Sequence, residues 1–573
     1  MKNLHLIIAF LGLISCKTGN KDSTAVETIP AVTSCTLPIV DDQEWYTKNN
    51  KAPVILGLGN LHFPITTTSD SAQFFFDQGL KLSYAFNHAE AARSFYYASR
   101  LDTACAMCYW GFAYVLGPNY NAGMEPDNYR RAYDAIQKAL SYTHLITNKE
   151  KDMIQALSQR YVQDPVDNRV RLDSNYSAAM KILHHQYPDD PEIAALYVES
   201  VLDVHPWDLW DKKGNPKSWT PQIVSIIEEN LRRYPEHPGL HHFYIHAVEA
   251  SNKPERGLVS AKKFDGGIVP NAGHLVHMPS HIYIRTGDYH DGSLANIKAF
   301  AVDSIYMTTC HAQGAYPLVY FPHNDHFLSA TSTLEGKKSW AIPAAFKVRN
   351  HVSTQLMANP SWSTLQHYYV IPYFILIKFG EWDTILSMQE HSQLPYPQYM
   401  YHYARGYAFI GKNKMDSAKA EFQKMNLLVT DSSLSNMAIW GINKVKDIVQ
   451  IASLVLSAEI EAKSGQYDES IKQLYQAIAL EDALNYQEPP DWFFSVRQIL
   501  GHVLIDAKKY DEAIKIYKED LSWIPKNGWS YHGLKKAYQS KEAKNELKKL
   551  EPFVIESWKY AEVELDGSII KGQ

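Results

Sequence analysis

AQFFFDQGLKLSYAFNHAEAARSFYYASRLDTAC, residues 72–105, is the stretch that decides the fold. With Ala72 as position 1, bulky Phe75 stands at 4, small Gly79 at 8 and bulky Leu82 at 11. Ala91, Phe95 and Ala98 follow at 20, 24 and 27. Two antiparallel helices in about 34 residues need this alternation. Small side chains let the helices approach, and bulky ones fill the space to the next pair. The pattern returns over 104–140 in two halves, Gly111 and Tyr114, then Ala132, Ile136 and Ala139. Between them sits an insertion, Gly117 to Met124, which reads either as a lid or as a long turn. Gly406, Phe409, Ala418 and Phe422 fit again, as do Ala458, Ser470, Leu474 and Ala477. So do Gly501, Leu504, Ala513, Tyr517 and Pro525, and a worn copy begins at Trp529 and Gly533. Residues 150–235 are helical in pattern but fit poorly. Strand-like alternation is nearly absent, so an all-α solenoid of helix pairs is expected.

The spacing is that of the tetratricopeptide repeat. Several segments carry a narrower likeness: Phe86-Asn87-His88-Ala89-Glu90-Ala91, Gly117-Pro118-Asn119, His205-Pro206-Trp207-Asp208-Leu209-Trp210, Ile245-His246-Ala247-Val248-Glu249-Ala250, His277-Met278-Pro279-Ser280-His281-Ile282-Tyr283, His323-Asn324-Asp325-His326 and Glu488-Pro489-Pro490-Asp491-Trp492. With these the chain resembles a family of exported bacterial tetratricopeptide-repeat lipoproteins over most of residues 72–560. The resemblance implies fold and export. It supplies no activity, because the family has no established one, and the family has Arg where this chain has His205.

The N-terminus points to export independently. Lys2 is followed by an almost wholly apolar run from Leu4 to Ile14, too short to span a bilayer and suited to a signal-peptide core. Leu13-Ile14-Ser15-Cys16 resembles a lipobox, which implies cleavage before Cys16 and a lipid on it. Lys17 in place of Asp favours the outer membrane. The expected organisation is 1–15 signal peptide, 16–70 tether and irregular lead-in, 71–235 N-terminal repeats, 236–350 His-rich repeats and 351–565 C-terminal repeats. A net charge of −6 with dispersed basic residues argues against nucleic acid as partner. Cys105 and Cys108 form a CxxC pair, read as core packing or a local disulfide ahead of a metal or redox site. Asp491 is expected to cap a helix beginning near Trp492.

Eleven of the 24 histidines lie between 237 and 326. Set in register, His242 and His277 fall at repeat position 5, and His246 and His281 at position 9. His274 falls at 2 and Glu249 at 12, while His323 and His326 fall at 2 and 5 of the next copy. Positions 2, 5, 9 and 12 share one stripe of a helix, the stripe that lines the concave groove of such arrays. Three readings fit. The groove binds a transition metal (zinc, copper or iron) through His246, Glu249, His277, His281 and His326. Or it binds a protein, peptide or small anionic ligand without metal, with Tyr244, Tyr283 and Arg285 helping. Or the histidines merely tie repeats together. A metal-dependent hydrolase with Glu249 as general base is the enzymatic alternative. No Gly-x-Ser-x-Gly elbow, phosphate loop or His-Glu-x-x-His accompanies the cluster, so nothing else points to catalysis.

Overall fold

Phe95 lies between two glycines. In the computed structural model of the chain, a Cβ at Gly79 would come within 2.9 Å of its ring, and one at Gly111 within 2.3 Å. Tyr517 stands likewise between Gly501 and Gly533, at 2.3 Å from each such Cβ. The spacing is sixteen residues in all four cases. A bulky side chain of one second helix thus fills the space vacated by small residues on its own first helix and on the next one. This is tetratricopeptide packing, and the chain is an all-α solenoid of that type.

The structure describes residues 42–48, 50–310 and 316–570. The apolar start, Cys16, Cys35 and much of the expected tether lie outside them. Residues 50–69 run irregularly along the first helix, Asp70–Ser83. Gln78 accepts the Ile55 N–H at 2.8 Å and donates to the Pro53 carbonyl at 2.9 Å. Helix pairs then follow one another, beginning with Asp70–Ser83 and His88–Leu101 and ending with Gly528–Ser540 and Lys544–Ser557. Residues 150–235 contribute pairs too, despite their poor match to the repeat. Two short strands, Ala438–Ile439 and Asn443–Lys444, pair antiparallel beside the Val445–Lys463 helix. Cys105 and Cys108 are disulfide-bonded within the core. Asp491 does not cap a helix: it accepts from Asn443 Nδ2 at 2.8 Å, and the next helix starts at Val496 with Ser495 as its cap.

The superhelix closes on itself. Tyr486 reaches Glu249, Tyr289 donates to the Pro525 carbonyl at 2.5 Å, and Lys526 pairs with Asp288 at 2.7 Å. Trp529 Nε1 donates to the Thr333 carbonyl at 2.8 Å. These contacts join residues 196 to 238 positions apart. An open array would leave its inner face in water; here the C-terminal repeats cover it. The middle first helices are accordingly apolar or buried all round. Every residue of Pro238–Val248 is buried, as expected of a helix enclosed on all sides.

Candidate metal centre

Three consecutive first helices supply the histidines. Pro238–Val248 carries His242 and His246, which are neighbours at i,i+4 with rings 4.8 Å apart. The second is interrupted at Met278, because Pro279 has no N–H with which to continue the helical ladder. His274 and His277 precede the break and His281 follows it, yet the His277 and His281 rings remain 4.9 Å apart. The third, Phe321–Leu334, follows a π-helical turn at Tyr316–Tyr320 and carries His323 and His326.

The imidazoles form two triads. His242, His246 and His274 bring one ligand nitrogen each within 4.8 Å of one another, and so do His277, His281 and His323. Nitrogens bound to one ion at 2.0–2.1 Å stand about 3.3–3.6 Å apart, within reach of this spacing.

Four outer nitrogens are held by acceptors. His242 Nδ1 donates to the Tyr84 carbonyl at 2.7 Å, and His277 Nδ1 to Asn296 Oδ1 at 2.6 Å. Asn296 keeps that orientation by donating its Nδ2 to the Gly292 carbonyl at 2.7 Å. Glu249 takes the remaining two, His246 Nδ1 on Oε1 at 2.8 Å and His281 Nδ1 on Oε2 at 2.6 Å. A neutral imidazole carries one proton. With it placed on Nδ1, the Nε2 atoms of all four rings present lone pairs to the interior. His277 Nε2 and His281 Nε2 lie 3.0 Å apart, close enough to share one proton or to meet at one cation. His246 Nε2 has no hydrogen-bond partner among the described residues.

This arrangement differs from the expected one in three respects. First, the five-residue set His246, Glu249, His277, His281 and His326 is not one set. His246 belongs to one triad, and His277 and His281 to the other. Glu249, one turn beyond His246, meets the near nitrogens of its partners and stands behind the imidazoles instead of among the ligands. His326 stacks on Phe493 at 5.3 Å, with neither ring nitrogen partnered among the described residues. Second, the face is not an open groove. His242, His246, Glu249, His274, His277, His281 and His326 are each at most 3% exposed, because the C-terminal repeats close over them. Third, Tyr244 and Tyr283 turn away, their hydroxyls donating to Glu228 and Asp265. Arg285 donates to the Glu249 carbonyl at 3.1 Å.

No family model matches the chain, and no curated protein sequence matches it. Solved structures do. The human IFIT1 dimer with m7Gppp-AAAA is 11% identical, covers 86% of this chain and 91% of its own, and has a TM-score of 0.32. The Cut9–Hcn1 hetero-tetramer of the APC/C is 11% identical over 86% of this chain and 75% of its own, at 0.28. Yeast Tom70 is 12% identical over 86% and 92%, at 0.26. The ligand and partner in those names belong to those proteins.

Residues that the repeat register does not reveal complete the site. Phe86 lies 4.6 Å from His242 and 5.3 Å from His274, ring to ring. Phe327 packs on His277 at 4.8 Å and on His281 at 4.6 Å. The Gly117–Met124 insertion covers the first triad: Tyr120 stacks on Trp207 and sits 4.9 Å from His246. Asn296 lies on a second helix, where no histidine marks it, and Tyr84 acts through its backbone. Neither leaves a side-chain signature in the sequence. Burial, reinforced by neighbouring imidazoles, holds His242, His274, His277 and His323 well below the usual imidazole value, so they are neutral and able to ligate. Burial alone would raise the Glu249 carboxyl, but His281 and His246 outweigh it and hold it at about 2. Both oxygens of Glu249 are engaged, by His246 and by His281.

Proposed function

We propose that this tetratricopeptide-type protein is a binding protein whose closed interior takes a late first-row transition metal. One observation carries the reading: two imidazole triads each bring three ligand nitrogens within 4.8 Å of one another, with the far nitrogens of His246, His277 and His281 engaged by Glu249 and Asn296. A cation seated among such nitrogens replaces the proton that two of them would otherwise share. Outer-nitrogen hydrogen bonds to a carboxylate, an amide and a carbonyl are the usual supports of ligating histidines. All-imidazole donors suit copper and zinc. The test is elemental analysis of full-length protein stripped with chelator and reloaded with Cu(I) or Zn(II), with melting curves. Near-stoichiometric metal and a raised melting temperature are expected, and His281→Ala should lose the metal held with His277 and His323 while still folding. Sub-stoichiometric metal with no chelator effect on melting overturns the proposal.

The same proposal places the protein at the cell envelope, anchored through a lipid on Cys16 and exposed to extracytoplasmic metal. The apolar run ending in Leu13-Ile14-Ser15-Cys16 supports it. Cys16→Ala should leave an unprocessed or soluble product; normal processing and membrane fractionation of that variant would overturn it. The mild negative charge and dispersed basic residues support a partner other than nucleic acid.

A further inference from the structure

We infer that the two triads hold two copper ions as one magnetically coupled pair, an inference that rests on the metal reading above. The triads are built alike. Each takes an i,i+4 pair from one helix, His242/His246 or His277/His281, and a single histidine from the helix that follows it in the stack, His274 or His323. They are also as close to each other as their own members are. Across the boundary, His246 and His281 rings lie 5.5 Å apart, and His274 and His277 rings 5.9 Å. Within the triads, ring separations run from 4.8 Å for His242/His246 to 6.4 Å for His246/His274. Two ions ligated by these rings are therefore near neighbours, and paired sites in proteins hold their metals about 3.5–4 Å apart.

Glu249 makes the two triads one unit. Its oxygens take the Nδ1 proton of one ligand from each, so the rings that face across the boundary are fixed by a single carboxylate. Each set ends at three imidazoles among the described residues. A structural zinc site closes with four protein ligands. Three nitrogens without thiolate or carboxylate leave each ion a position unfilled by protein. Zinc also takes three imidazoles with one position open; copper is inferred because it heads the affinity order for such donors. A small bridging anion, hydroxide or azide, is the class of ligand that fills those positions and couples the ions.

Chelator-stripped full-length protein loaded anaerobically with Cu(I), then oxidised with ferricyanide, tests this. Elemental analysis should give two coppers per chain, and the electron paramagnetic resonance spectrum should lack most of the corresponding spin. Azide should alter the optical spectrum of the oxidised pair. His274→Gln and His323→Gln each remove one ligand from one triad. Whichever variant folds, judged by circular dichroism, should retain one copper with its full spin. Glu249→Gln should weaken copper binding by about 10–100-fold. Two coppers with full spin in the unmodified protein overturn the coupling and leave the metal reading standing. One copper per chain overturns the pair and likewise leaves it standing. No copper or zinc overturns both.

Discussion

The middle and C-terminal repeats use the same inward-facing helix positions for opposite chemistry. At positions 5 and 9 the middle repeats carry His242 and His246, then His277 and His281. Counted from the small residue at position 8, the C-terminal repeats carry Tyr403 and Tyr407, then Val455 and Glu459. Tyr403, Tyr407 and Glu459 line a cavity with Phe374, Lys378 and Trp492. What the two regions share is the small residue at position 20, Gly257 and Gly292 in the middle repeats and Ala418 and Ser470 in the C-terminal ones. The residues at 5 and 9 are free to vary, because they face the interior of the superhelix instead of the seam between helices. Burying imidazoles there costs desolvation that tyrosine rings largely avoid. The histidine stripe lies on that common framework, whereas the glycine–aromatic seam is built at the two ends, at Gly79, Phe95 and Gly111 and at Gly501, Tyr517 and Gly533.

The largest test attacks that seam. Gly501→Val puts a side chain where Tyr517 lies 2.3 Å away, and should cost about 3 kcal/mol or prevent folding. Gly79→Val should do the same against Phe95 at the other end; if either variant melts like the unmodified protein, the shared-seam account fails.

Glu459 shares the C-terminal cavity with Lys378, Lys463 and His502, and burial, against the pull of Lys463, pushes its carboxyl up to about 7 from an ordinary 4.5. A raised carboxyl value stabilises the fold below 4.5, and the contribution is lost as pH rises through 7. Denaturation of the unmodified protein against Glu459→Gln should show the variant gaining about 3 kcal/mol in relative stability across that window. A constant difference from pH 4.5 to 7.5 would show that Glu459 is ionised throughout.

Apolar replacement should have opposite signs in the two regions. His326→Leu removes a buried imidazole whose ring nitrogens have no partner among the described residues, so the protein should gain about 1 kcal/mol. Tyr403→Leu leaves a void in the aromatic cavity and should cost about 1 kcal/mol or more. Paired chemical melts decide it, and a loss of stability in both removes the contrast. The smallest effect is kinetic. Tyr120→Ala uncovers His246 without replacing a ligand, so metal should leave faster under chelator challenge than from an equally destabilised Tyr403→Ala. Equal release rates would make the Gly117–Met124 segment a turn with no gating role.

The seam was legible because it repeats. Gly79, Phe95 and Gly111 stand sixteen residues apart, and so do Gly501, Tyr517 and Gly533. The histidine register was legible for the same reason, since i,i+4 pairs recur at a repeat interval. What periodicity cannot carry was missed. Which nitrogen of His246 faces Glu249 depends on side-chain rotation, and this alone moves Glu249 from ligand to support. The contacts of Tyr486 and Trp529 with residues near 250 and 330 have no periodic trace, so the covered interior read as an open groove. Asp491 looked like a cap because it precedes an apolar run, yet Phe493 and Phe494 intervene and Ser495 takes the role.

In most solenoids each repeat touches only its neighbours, so structure spreads outward from any starting point. Here Tyr486 hydrogen-bonds Glu249 across 237 residues of chain. The loop-closure entropy of so distant a contact must be met before it contributes anything. The chamber around the histidines is therefore sealed late, after the last repeats have docked. A chain cut short before residue 486 should fold locally and still leave its imidazoles in water, which makes completion of the C-terminus the step that closes the chamber.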